Sequence, residues 1–155
     1  METISHDRND YGFQTELRVR LSETDAVGIV FFGSFSVYFD VGRMDYLEHL
    51  GLNKLDGAVK DLIPGAVVRQ EAHFHNPARY NDILALHVRI AEIGRSSYTF
   101  HFMTTNKRNR KTIASGLIKL VWLDNDFRPI IVPEQFRKVV RAFEGDNLLE
   151  SQAAI

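Results

Sequence analysis

Hydrophobic and polar residues alternate one by one from Phe13 to Leu21, where Leu17, Val19 and Leu21 are interleaved with Glu16, Arg18 and Arg20. That two-residue period predicts a strand with one buried face. Ser22-Glu23-Thr24-Asp25-Ala26-Val27-Gly28 follows, a run of small and polar residues that predicts a loop. From Ser34 or Phe35 to Leu50 the period lengthens: Phe35, Tyr38, Phe39, Gly42, Tyr46 and Leu50 recur at helical spacing. One long amphipathic helix is expected, stopped by Gly51. Gly42 lies on its apolar stripe, at a cost of roughly 1 kcal/mol of helix propensity relative to Ala. A close approach of another part of the chain would compensate.

A polar connection from Asn53 to Pro64 leads to four more strand-like runs. These are Ala66 to Phe74, Ile83 to Ile90, a run with Tyr98, Phe100 and Phe102 on its inner face, and Ile113 to Leu123. Lys107-Arg108-Asn109-Arg110 predicts the hairpin turn between the last two. Pro133 opens a C-terminal helix that carries Phe136, Val139, Val140 and Phe143 on one side. The chain thus divides into an N-terminal extension (1–12), one domain (13–144) and a flexible tail (145–155). A strand, a long helix and then four strands with no helices between them predict an antiparallel α+β domain, an order consistent with a curved sheet packed on the one long helix.

Composition narrows the function. At 155 residues the chain fits one domain, of a size that buries roughly 70% of its unfolded surface. Hydrophobic residues at 45%, charged residues at 25% and a net charge of −1 argue against nucleic acid or an anionic membrane as partner. The absence of cysteine excludes disulfides, thiolate metal sites and cysteine nucleophiles, and fits a reducing compartment. Met1 to Tyr11 lacks the apolar core of a signal peptide and no apolar run has the length of a membrane span, so a soluble cytoplasmic protein is expected. His73 and His75 share a strand face without a third ligand at recognisable spacing, so neither a metal nor a cofactor is expected. Gly-x-Ser-x-Gly and a phosphate-binding glycine loop are both missing.

The chemistry concentrates in Glu23-Thr24-Asp25-Ala26-Val27-Gly28-Ile29-Val30-Phe31-Phe32-Gly33-Ser34-Phe35, directly before the long helix. This segment resembles the signature of the 4-hydroxybenzoyl-CoA thioesterase family and of its Tol-Pal-associated acyl-CoA thioesterase relatives, which are hotdog-fold enzymes. The resemblance runs from about Phe13 to Val140 and includes two turns, Asn76-Pro77-Ala78-Arg79-Tyr80-Asn81-Asp82 and Gly94-Arg95-Ser96-Ser97. It implies hydrolysis of a small aliphatic or aromatic acyl-CoA, with Asp25 as the catalytic carboxylate and the backbone N–H of Phe32, with that of Gly33, as the oxyanion hole. Both roles open to Asp25, nucleophile and general base, need the ionised carboxylate that an aspartate carries at neutral pH. Free N–H groups at a helix N-terminus suit the charge that develops on a thioester carbonyl.

Phe31 and Phe35 are candidates for an acyl pocket, and Arg95, Ser96 and Ser97 for contacts to CoA; Lys107, Arg108, Arg110 and Lys111 offer further cations or form a solvated hairpin tip. Many relatives carry Tyr or His where this chain has Phe31 and Phe32. A backbone oxyanion hole survives that change, whereas side-chain assistance does not. The resemblance also implies a homo-oligomer, a dimer or a dimer of dimers (homotetramer), with pockets between protomers. The competing reading is a non-catalytic hotdog domain that binds acyl-CoA or acyl carrier protein, for which Asp25 has no use. An Asp before a helix otherwise serves as a cap or turn carboxylate.

Overall fold

The computed structural model describes residues 3–53 and 65–151. Most of the polar connection expected from Asn53 to Pro64 lies outside the described residues. The elements are β1 (Phe13–Arg18), α1 (Ser34–His49), β2 (Ala66–Phe74), β3 (Ile83–Ile93), β4 (Ser97–Asn106), β5 (Thr112–Val121), α2 (Glu134–Glu144) and β6 (Leu149–Glu150). The strands form one sheet in the order β1-β3-β4-β5-β2, antiparallel throughout that path. The α+β architecture follows the periods in the sequence, with α1 as the core element.

The helix is held by aromatic packing. The Phe39 ring stacks on Phe102 with centroids 4.6 Å apart, and Tyr46 meets Phe100 edge-on at 5.6 Å. Phe39, Tyr46, Phe100 and Phe102 are all buried, and deleting one such ring costs about 3–5 kcal/mol. Gly42 makes the expected close approach: a Cβ there would lie 2.9 Å from Val88 Cγ2 on β3. Without that glycine α1 would stand off the sheet.

β1 ends at Arg18 instead of Leu21, because Leu21–Glu23 forms a 3-10 turn. The Glu23 carboxylate closes the turn by accepting from the Arg20 backbone N–H at 2.7 Å and from Arg20 Nη2 at 2.9 Å. Val19 stays buried and exchanges backbone hydrogen bonds with Asn81 and Asp82. Leu21 is turned to solvent.

Packing contacts continue on both sides of the span 13–144. Tyr11, placed in the extension, is buried against His87 of β3 at 6.1 Å, and its hydroxyl donates to the Ser5 carbonyl at 2.8 Å. The flexible tail expected from Gly145 is ordered as far as Ser151: a 3-10 turn covers Gly145–Asn147 and β6 pairs in parallel with Glu92 and Ile93. Glu150 fixes it through Arg141 Nε at 2.6 Å, while Glu144 accepts from the Tyr46 hydroxyl at 2.6 Å and from the Ile90 N–H at 3.0 Å. Residues 152–155 lie outside the described residues. No helix among the described residues is long and apolar enough to cross a membrane.

The covering of β3 predicts an acid sensitivity. Burial, and then the nearby Arg8 charge, pull the His87 imidazole down from 6.5 to about 4. Between those two values the unfolded chain binds a proton that the folded chain does not, so this group's contribution is intact above pH 6.5 and is lost as pH falls toward about 4. The thermal midpoint of the wild type should therefore fall more steeply across that window than that of His87→Gln. Equal slopes would assign the acid sensitivity to other groups.

Candidate active site

The loop before α1 is built on Glu23. Its backbone carbonyl accepts from the Phe31 N–H at 2.9 Å and from Ser34 Oγ at 3.1 Å, and its carboxylate accepts from the Tyr38 hydroxyl at 3.1 Å. Burial would raise the Glu23 carboxyl, but the bonds from Arg20 and Tyr38 outweigh it and hold the group below its usual value. A second clamp, Val30 N–H to the Ala78 carbonyl at 2.8 Å, ties the loop to the Asn76–Asp82 turn. Two distant segments thereby face one another.

Between them lies a cavity of about 480 Å³, lined by Asp25, Ile29, Val30, Phe32 and Phe35 on one side and Phe74, His75, Asn76, Pro77 and Ala78 on the other. Asp25 is half-buried in its wall, eight residues before the Gly33 position that precedes α1, and so does not cap the helix. One carboxylate oxygen closes the local turn: Oδ1 accepts from the Val27 N–H at 2.9 Å and from the Ile29 N–H at 3.4 Å. Oδ2 has no hydrogen bond among the described residues. The backbone N–H groups of Phe32 and Gly33 likewise donate to no protein acceptor among the described residues, whereas those of Phe31, Ser34 and Phe35 are all taken. Asp25 and Phe32, whose backbone donor is unspent, therefore share the wall of a mostly apolar cavity, and the unspent Gly33 donor follows next along the chain, outside the lining.

The other expected residues fall elsewhere. Phe31 is outside the lining; its ring packs on Phe32 at 4.5 Å and fills the space a side chain at Gly33 would need. Gly33 thus admits an aromatic ring of its own chain. Arg95 and Ser96 lie in the β3–β4 turn and Ser97 opens β4, and Arg95 lines a separate cavity of about 350 Å³ with Ile131, Val132, Glu134 and Arg137. Arg137 buttresses that turn by donating to the Gly94 and Arg95 carbonyls. Within one chain, Asp25, Phe32 and Phe35 come together and the Arg95 turn does not join them.

His75 is the residue that sequence reasoning misses, because its spacing pairs it with His73. It follows the end of β2, lines the Asp25 cavity and meets Ser115 Oγ through Nε2 at 2.9 Å. Burial, and then the nearby His6 and His73, push its imidazole below the ordinary value. Among the described residues no group of three or more His, Asp or Glu side chains is placed to hold a metal ion.

A family model described as the thioesterase-like superfamily matches residues 19–142. The chain belongs to the thioesterase-like superfamily. Its sheet wrapped on α1 is the hotdog fold. A chloroplastic acyl-acyl carrier protein thioesterase of Arabidopsis thaliana, ATL3, is 28% identical over 86% of this chain and 70% of its own length. A putative acyl-CoA thioesterase of Bacillus subtilis, YneP, is 26% identical over 79% of this chain and 86% of its own. A Thermus thermophilus thioesterase solved with coenzyme A and zinc superposes with a TM-score of 0.76 at 29% identity, covering 88% of this chain and 97% of that one.

Proposed function

We propose that the protein hydrolyses acyl-CoA thioesters to free acid and thiol at the Asp25 cavity. The observation that carries this reading is the unspent N–H of Phe32 in the wall of the cavity that Asp25 also lines, with the unspent N–H of Gly33 next to it in the chain, in a chain whose family model is thioesterase-like. The thioester oxygen lies against those two amides, which stabilise the negative charge of the tetrahedral intermediate. Asp25 acts through Oδ2 while Oδ1 keeps the turn.

Two routes use that oxygen. In one, Oδ2 bonds to the carbonyl carbon and the C–S bond breaks, giving an anhydride that water then cleaves. In the other, Oδ2 takes a proton from the water that attacks the carbon, and the thiolate leaves directly. A single turnover in ¹⁸O-labelled water tests for the first route, since the direct route puts one labelled oxygen into every acid formed, whereas opening of the anhydride at the Asp25 carbon leaves the label in the protein and releases an acid without it. Phe32, Phe35 and Phe74 supply an apolar wall for the acyl group. The direct test is thiol release from a panel of short, branched and aromatic acyl-CoAs together with acyl carrier protein thioesters. Turnover of none of them would leave a binding domain in place of an enzyme.

The active unit we propose is a homo-oligomer joined along β2. Among the described residues that strand pairs only with β5, and it exposes Val67, Val68 and Phe74 on its edge of the sheet. A partner strand there would bury them and close the cavity that Phe74 lines. Val68→Lys should lower the mass seen by light scattering, with loss of turnover. A fully active monomer at assay concentration would refute the assembly.

A further inference from the structure

A second concavity, of about 180 Å³, adjoins the Asp25 cavity, and the two share Asn76 and Pro77 in their walls. Its rim carries three cations from two parts of the chain: Arg79 from the β2–β3 turn, and Arg108 and Lys111 from the β4–β5 hairpin. None of the three side chains has an ion pair or hydrogen bond among the described residues. Lys107, in the same hairpin, is spent differently, with Nζ 2.9 Å from Glu16. The acid in the lining, Asp82, is already engaged: its Oδ2 accepts from the Arg79 N–H at 2.9 Å and from Asn106 Nδ2 at 3.1 Å. Positive charge is left in excess.

The hairpin is also shaped in advance. Asn106 Oδ1 accepts from the Arg108 N–H at 2.9 Å and Asn109 Oδ1 from the Lys111 N–H at 3.0 Å, so the backbone that carries the cations is fixed by its own side chains. A merely solvated tip has no need to gather unpaired cations around a concavity that opens beside a catalytic carboxylate.

We propose that this concavity binds a phosphate of the thiol carrier while the acyl thioester lies against Asp25. The assignment rests on the thioesterase reading for its substrate. Two guanidinium groups and an ammonium match a phosphate in charge, and the guanidinium fork matches its oxygen geometry. Coenzyme A and the phosphopantetheine arm of a carrier protein both carry such a phosphate, so one site serves either source.

The test is the double variant Arg108→Gln/Lys111→Gln, with Lys107→Gln as a control on the same hairpin. Three thioesters of one acyl group are compared: on CoA, on acyl carrier protein, and on N-acetylcysteamine, which has no phosphate. For the CoA thioester, KM should rise about tenfold or more with kcat changed less than about twofold, because a remote handle binds ground and transition states alike. The N-acetylcysteamine thioester and the Lys107→Gln variant should be unaffected. An equal effect on the carrier-protein thioester assigns the pantetheine phosphate, and an effect confined to CoA assigns its nucleotide phosphates. Unchanged KM for both carriers, or an equal loss with N-acetylcysteamine, overturns the site. Calorimetric binding of CoA itself needs no turnover. Should the wild type hydrolyse nothing, weaker CoA binding in the double variant still supports the phosphate site, and unchanged binding still overturns it.

Discussion

Asp25→Asn is expected to give a folded protein whose thioester turnover falls by on the order of 10²- to 10⁴-fold, the usual loss when a general base is removed. The structure separates the two duties of this residue. Oδ1 closes the Val27–Ile29 turn, and an asparagine carbonyl can accept the same N–H bonds, so the loop and the melting temperature should be preserved. Oδ2 is the oxygen proposed for chemistry, and an amide nitrogen in its place is neither nucleophile nor base at neutral pH. A capping role would predict a different pattern, but Asp25 is too far from the start of α1 at Ser34 to cap it. The measurements are kcat through released thiol, thermal unfolding of both proteins, and binding of a non-hydrolysable acyl-CoA analogue. Retained binding with lost turnover is the expected result. Undiminished turnover in Asp25→Asn would move the chemistry elsewhere in the cavity, with His75 the first group to examine.

What the sequence disclosed follows from the range of the interactions involved. Periodicity reports which face of a local element is buried, so β1, α1 and the four later strands were legible, as was the close approach at Gly42. Asp25, Phe32 and Phe35 were legible because they sit in one short segment that also carries the family resemblance. The opposite wall was not. His75 and Ala78 reach the cavity through the Val30 to Ala78 hydrogen bond, a contact between residues far apart in the chain that leaves no periodic trace. β6 escaped for a related reason, being two residues long and fixed by the Glu150 to Arg141 pair instead of by an apolar pattern. The Arg95 turn was read as part of the site from resemblance, and within one chain it lines a different cavity. A site shared between protomers would reconcile those two places, and the light-scattering experiment on the β2 edge bears on that point.

The largest stability effect is expected at Gly116, where the helix, the sheet and the cavity wall meet. Gly116 sits in β5 opposite Ala72 of β2. A Cβ there would lie 2.4 Å from the Glu71 carbonyl oxygen on one side and 2.5 Å from Phe39 Cε2 on the other. Neither neighbour can yield cheaply. The carbonyl belongs to the backbone of the paired strand, and the Phe39 ring is fully buried and stacked on Phe102. Gly116→Ala must therefore either push β2 away from β5 or unstack Phe39, and overpacking of this kind costs about 3 kcal/mol or more. At roughly 2–4 °C per kcal/mol for a chain of this size, the melting temperature should fall by on the order of 10 °C. Phe39→Leu frees space on one side only, so the double variant should lose less stability than the sum of the two single changes, a coupling that a double-mutant cycle reads directly. The substitution should also reach function, since β2 carries Phe74 and leads into His75, both in the wall of the Asp25 cavity. A melting temperature unchanged in Gly116→Ala would mean that β5, β2 and α1 are not packed as tightly at this point as the contacts require.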